Sequence, residues 1–270
     1  MEILLLRAVF APCFVLLASL AARRLGPGAG GRLLGIPTTT GPFLLLVALT
    51  DGTRTAAGSV PGCVAGQAAV AGFCLAYGRL APRLRPTRTF AAALACATAA
   101  ELVAASCTRI WLTAAFDLAI VLTGLLSRPA AAPRNQSTDT SRRWEIPARM
   151  AISGVTVLVA MSVADAAGPF VGGMLSSLPV LLMIMAPSVH RSVGPEAAAQ
   201  FTRGALTSGP ATLGFLLVLD ITLEPLGALV AFALALAALA LIDQLARSPL
   251  ARLARLAAGT RRHGIRAGLQ

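Results

Sequence analysis

The sequence predicts an all-α, polytopic integral membrane protein of about nine transmembrane helices, laid out as two inverted four-helix repeats plus one linking helix. Three observations predict it. Of 270 residues, 56% are hydrophobic and only 13% charged, about half the charge with which a soluble globule coats its surface. The apolar residues fall in runs that suit spans of about 20 residues. The chain also matches itself at a fixed shift. The formal net charge of +12 comes from 23 basic residues, all arginine, against 11 acids. Because these arginines sit between apolar runs, they read as a topology signal and not as a nucleic-acid surface.

The self-match is ungapped at 142 residues. Gly26-Pro27, Gly30-Gly31, Leu33 and Pro37 reappear as Gly168-Pro169, Gly172-Gly173, Leu175 and Pro179. Gly52, Gly62, Gly72-Phe73 and Leu75 reappear as Gly194, Gly204, Gly214-Phe215 and Leu217. Between residues 7 and 106 there are 28 identities, where this composition gives roughly a dozen by chance. Matched glycines and prolines carry more weight than matched alanines, since each marks a backbone requirement.

Taken in order, the first unit (1–106) holds apolar segments at about 3–22, 33–50, 60–78 and 90–106. Glu2 in place of a positive cluster, and Arg7 inside the apolar run, make the first segment a retained helix and not a signal peptide. The run 90–127 is about twice the hydrocarbon thickness as one helix, so it turns at its polar stretch, Ser106-Cys107-Thr108-Arg109. Segment 110–127 and the polar linker 128–148 complete the connecting region (107–148). The second unit (149–246) holds segments 149–166, 171–189, 205–220 and 226–245, and a basic tail follows at 247–270. Nine spans put twenty arginines on one side of the membrane and leave Arg7, Arg54 and Arg109 on the other. The positive-inside rule then places the N-terminus outside and the C-terminus in the cytoplasm. An odd number of spans separates equivalent points of the units, so one is inserted upside-down relative to the other.

The stretch Phe170-Val171-Gly172-Gly173-Met174-Leu175-Ser176-Ser177-Leu178-Pro179, with His190-Arg191 and Gly194 after it, resembles the GlpM-type small four-helix bacterial membrane proteins. The resemblance implies a four-helix unit of this length, here fused in two copies. Leu178 departs from it, standing where an aromatic is expected, as does the triple threonine after Pro37.

The polar residues inside the spans are the candidate pathway. Pro37 with Thr38, Thr39 and Thr40, and Ser176-Ser177 with Pro179, break the second helix of each unit in corresponding places. In a bilayer the freed backbone groups need partners. Such breaks mark either a transport site or a packing kink held by hydroxyls. The glycine pairs read as points of close helix approach. Glu101 and Asp117 lie at similar distances from the 106–109 turn, so a helical hairpin sets them at comparable depth. Two carboxyls there do not both ionise easily, which allows proton uptake. Arg7 with Glu101, and Arg149 with Asp243, are candidate gate pairs at opposite faces, or else side chains that reach the interface on their own. The five cysteines form no CxxC pair and read as packing residues. His190 and His263 are expected outside the core. No metal, cofactor or catalytic motif is expected. The arginines of the tail, spaced among leucines, suit anionic lipid at the cytoplasmic surface. Inverted repeats imply transport of a small solute by alternating access across a bacterial inner membrane, with protons as the coupling ion and export as the direction. The alternative is a non-transporting membrane scaffold of an envelope or biosynthetic complex. Homo-oligomers are compatible with either.

Overall fold

The computed structural model describes residues 37, 39–126 and 145–267, with side chains placed for 37, 39–126, 151, 155, 156 and 158–246. Among the described residues every element is helical. In order they are α1 (Thr40–Thr50), α2 (Thr53–Leu80), α3 (Pro86–Ser106), α4 (Ile110–Leu126), α5 (Glu145–Ala167), α6 (Pro169–Ser176), α7 (Val180–Ser192) and α8 (Pro195–Ala267). Four helical stretches are long and apolar enough to cross a membrane: Thr53–Leu80, Pro86–Ser106, Pro169–Ser192 and Pro195–Ala246. Shorter apolar helices occupy Thr40–Thr50, Ile110–Leu126 and Leu158–Ala167.

α2 is the pillar around which the others stand, packing against α1, α3, α4, α6 and α8. Its sequence explains why. Gly58, Gly62 and Gly66 recur every fourth residue and leave a smooth stripe along one face, and lipid-embedded helices associate through such close packing. α6 lies along that stripe. A Cβ at Gly62 would overlap the Phe170 carbonyl, and one at Gly66 would stand 2.6 Å from the Ser177 Cβ. The approach is mutual, since a Cβ at Gly173 would overlap the Ser59 carbonyl. Gly172 meets Ala164 of α5 in the same way, which sandwiches α6 between α2 and α5. The expected close approach at this glycine pair is therefore present, while Gly30-Gly31 lies outside the described residues.

Two hairpins flank the pillar. α3 returns along α2, so that Gly72 faces Ala100, with 3.0 Å between a Cβ there and the alanine methyl. Phe73 meets Phe90 edge to face, with centroids 6.3 Å apart. α8 is not one rod. At Gly227 the backbone is non-helical (φ 77, ψ 167), and the chain doubles back, since Gly214 touches Ile242. A straight helix would hold those two residues about 42 Å apart. The interval between the predicted segments 205–220 and 226–245 is instead helical, and glycine's freedom at positive φ compresses the reversal to one residue. The second arm continues as helix to Ala267, so no backbone break separates the tail at 247.

Burial sorts the helices by depth. α2 and the first arm of α8 supply most of the large fully buried side chains, including Phe73, Tyr77, Phe215, Leu216 and Leu219. α3, α4 and the second arm expose Leu102, Trp111, Leu112, Leu126, Leu229 and Leu241. So much exposed apolar surface is incompatible with a monomer in water and fits helices facing lipid. The turn predicted at 106–109 is observed: α3 ends at Ser106 and α4 begins at Ile110. The predicted first span (3–22), Thr38 and most of the linker (127–144) lie outside the described residues.

Candidate functional site

Two polar clusters lie inside the apolar bundle. The first is built where α6 stops. Ser177, Leu178 and Pro179 are non-helical between α6 and α7, because proline lacks the N–H needed to continue the ladder. Pro179 is buried at the N-terminus of α7, and its carbonyl accepts the Met183 N–H at 2.8 Å. The start of α1 meets this break. Pro37 is buried, and its carbonyl accepts the Gly41 N–H at 2.9 Å. Thr39, half-buried, precedes the helix, and Thr40 begins it. The Thr40 hydroxyl lies 3.1 Å from the Ser177 hydroxyl and 3.5 Å from the Ser176 carbonyl. Ser176 donates to the Gly173 carbonyl at 2.8 Å. That leaves the Cys63 thiol to donate to Ser176 Oγ across 3.6 Å. The start of α1 and the break between α6 and α7 therefore meet, and each of these hydroxyls has a partner, while the residues before Pro37 lie outside the described ones.

The second cluster centres on Asp117, midway along α4 and 1% exposed. Its Oδ1 is the one buried side-chain nitrogen or oxygen without a hydrogen-bond partner among the described residues. The carboxyl faces a cavity of about 10 Å³, room for one water molecule. Gln67, Val70 and Ala71 of α2, Val121 of α4, and Ala205, Leu206 and Gly209 of α8 complete its lining. Burying an ionised carboxylate without a partner is far more costly than burying the neutral acid. Arg109, in the turn that precedes α4, is exposed.

Beyond Leu206 a larger vestibule of about 400 Å³ opens. Cys74, Leu75, Gly78 and Arg79 line it from α2, Arg83 from the turn after α2, Gly124 from α4, and Ala199, Arg203 and Leu206 from α8. Arg203 donates to the carbonyls of Gly124 (3.3 Å) and Leu125 (2.6 Å), and Arg79 to that of Thr123 (3.4 Å). Both guanidiniums thus sit at the negative end of the α4 dipole. From cavity to vestibule, residue numbers rise along α2 and fall along α8, so these two helices run antiparallel. The packing agrees. Ala56 and Val60 cluster with Leu216, Leu219 and Leu223, while a Cβ at Gly78 would lie 3.0 Å from Thr202 Oγ1.

Several expectations change. Glu101 is half-buried on α3 and is not among the residues lining the Asp117 cavity. α3 and α4 each pack mainly on α2, so the hairpin turns Asp117 inward without bringing the two carboxyls together. His190 is in the core and not outside it: it is 8% exposed, and its Nδ1 lies 3.2 Å from the Tyr77 hydroxyl, because α7 folds over the end of α2. For the gate pairs, Arg7 and the Arg149 side chain lie outside the described residues, while Asp243 is half-buried on the second arm. Among the described residues no group of three or more His, Cys, Asp or Glu could hold a metal, and Cys63, Cys74, Cys96 and Cys107 are free thiols. Gln67 and Leu206 escaped the sequence reading. An amide inside an apolar span was a usable signal for Gln67, whereas nothing distinguishes Leu206 from other leucines.

No family model matches the chain, and neither a curated protein nor a solved structure is similar to it.

Proposed function

We propose that this chain is a carrier that moves a small solute across the bacterial inner membrane by alternating access, coupled to protons through Asp117. In this reading nine spans form two inverted units, each similar to a GlpM-type four-helix protein, with α4 as the linking helix. The N-terminus is outside and the C-terminus cytoplasmic. Inverted halves give two conformations of similar energy, open to opposite sides.

Equivalent positions behave alike, which supports the inverted layout. α2 starts at Thr53 and α8 at Pro195, each after a glycine at positive φ (Gly52, φ 92; Gly194, φ 124). The pair Phe73–Phe90 has its counterpart in Phe215–Phe232, at 6.3 and 6.1 Å and interplanar angles of 74° and 70°. The contact between Gly72 and Ala100 recurs as Gly214 with Ile242. α2 and the first arm of α8 are themselves counterparts and run antiparallel, as a two-fold axis in the membrane plane requires. The observation that carries the function is where Asp117 sits. Its cavity is lined by both Gln67 and Gly209, which are equivalent under the 142-residue shift, so an unpartnered carboxyl lies where the two halves meet. Intramembrane ionisable groups in such positions mark ion and proton pathways. Three arginines and no acid among the described residues lining the vestibule favour an anionic solute.

The test uses proteoliposomes holding a trapped pH-sensitive dye and a panel of small organic anions. Solute-dependent proton movement that is lost in Asp117→Asn and kept in Glu101→Gln is the expected result. Proton movement that survives Asp117→Asn refutes the coupling role. No response to any anion, together with co-purification of a fixed partner, returns the chain to a scaffold.

A further inference from the structure

Among the described residues, Leu206 is the one shared by the linings of the Asp117 cavity and the vestibule. It is 4% exposed and stands between them on the first arm of α8. The other lining residues advance in register, from Gln67, Val70 and Ala71 to Cys74, Leu75 and Gly78 on α2, and from Asp117 and Val121 to Gly124 on α4. The two spaces are therefore successive chambers along the same three helices, with an aliphatic side chain as the septum.

Building on the coupling role proposed above, we infer that Asp117 exchanges its proton with the arginine-lined vestibule, and that Leu206 is the gate. The step is a simple protonation: a proton from vestibule water passes Leu206 and binds a carboxylate oxygen of Asp117, giving the neutral acid, and leaves by the same route. Apolar constrictions of this kind gate by excluding water. Among the described residues, the groups facing Asp117 include no rival proton holder: α2 presents the neutral Gln67, and α8 presents Ala205, Leu206 and Gly209. Arg203 stands at the vestibule, beyond the septum, and Glu101 on α3 does not line the cavity. Gly209 matters as well. A Cβ there would stand 2.9 Å from Val121 Cγ2, so glycine lets α4 approach α8 closely at the cavity wall.

Carbodiimides react with protonated carboxyls, which gives a readout independent of any solute. Membrane vesicles of both orientations are treated with a water-soluble carbodiimide, and modification of the peptide holding Asp117 is followed by mass spectrometry. Modification is expected from the vestibule face, falling as pH rises and absent in Asp117→Asn. Leu206→Ala should raise its rate about tenfold and Leu206→Phe should lower it by a similar factor, the first removing and the second enlarging the apolar septum. Leu206→Met, which preserves volume, should behave as wild type and controls for misfolding. Equal modification from both faces, none at any pH, or rates unmoved by both Leu206→Ala and Leu206→Phe would overturn the inference. Modification as expected, with no anion-dependent proton movement in proteoliposomes, would instead remove the carrier reading and leave the gated proton site standing.

Discussion

The two polar clusters inside this bundle differ in one respect. At the crossing of α1 with the break between α6 and α7, each hydroxyl finds a partner: Thr40 with Ser177, Ser176 with Gly173, and Cys63 with Ser176. At Asp117 a carboxylate oxygen is buried with none. A satisfied network in a low-dielectric interior stabilises one arrangement, whereas an unsatisfied group is costly. The first cluster therefore reads as architecture and the second as a working group. Sequence patterning had drawn attention to both, yet only one retains an unmet chemical demand.

That contrast can be broken or sharpened by substitution. The largest effect is expected from Gly173→Leu, which drives a side chain into the Ser59 carbonyl and prevents α6 from docking. A loss of about 3 kcal/mol or more should appear as aggregated protein in size-exclusion chromatography, with all activity gone. Asp117→Asn should come next, removing coupled proton movement entirely while shifting the thermal midpoint little, because the amide has the shape of the neutral acid and breaks no hydrogen bond at Oδ1. If that variant instead unfolds, Asp117 belongs with the architecture. Thr40→Val combined with Ser177→Ala should cost about 1 kcal/mol, as interhelical hydrogen bonds in membranes usually do. Proton movement should persist in it, measured in the same proteoliposomes. The smallest expected effect is a difference. Phe90→Leu and Phe232→Leu should lose similar stability, within about 0.5 kcal/mol of each other, since each removes one edge-to-face pair of matched geometry. Unequal losses in thermal unfolding would weaken the equivalence of the halves.

The elements most legible in sequence were those set by local backbone chemistry. Pro179 after two serines dictated a helix stop, and α6 does end at Ser176. The length of the run 90–127, too great for one membrane crossing, required a turn at its polar stretch, and α3 gives way to α4 there. The glycine pair Gly172-Gly173 forecast close packing because a missing Cβ has few other uses inside a lipid-embedded helix. Less legible was the reversal at Gly227. The gap between the predicted segments 205–220 and 226–245 suggested a loop, but the helix continues through it to Gly227, which takes positive φ.

Side-chain partnership across helices was beyond the reach of periodicity. Comparable depth for Glu101 and Asp117 followed from counting along a hairpin, but counting fixes height and not azimuth. The rotation of α4 against α2 and α8 turns Asp117 inward to Gln67 and Gly209. For the same reason His190 looked peripheral until α7 folded over α2 and brought it to Tyr77. By itself the sequence determined the all-helical class with apolar helices long enough to span a membrane, the break at Pro179, the turn at 106–109 and the 142-residue self-match, all of which depend on composition and on residues near one another in the chain. Tertiary structure alone decided which carboxyl is left without a partner and which leucine stands before it, because both depend on how three helices far apart in sequence are rotated about their axes.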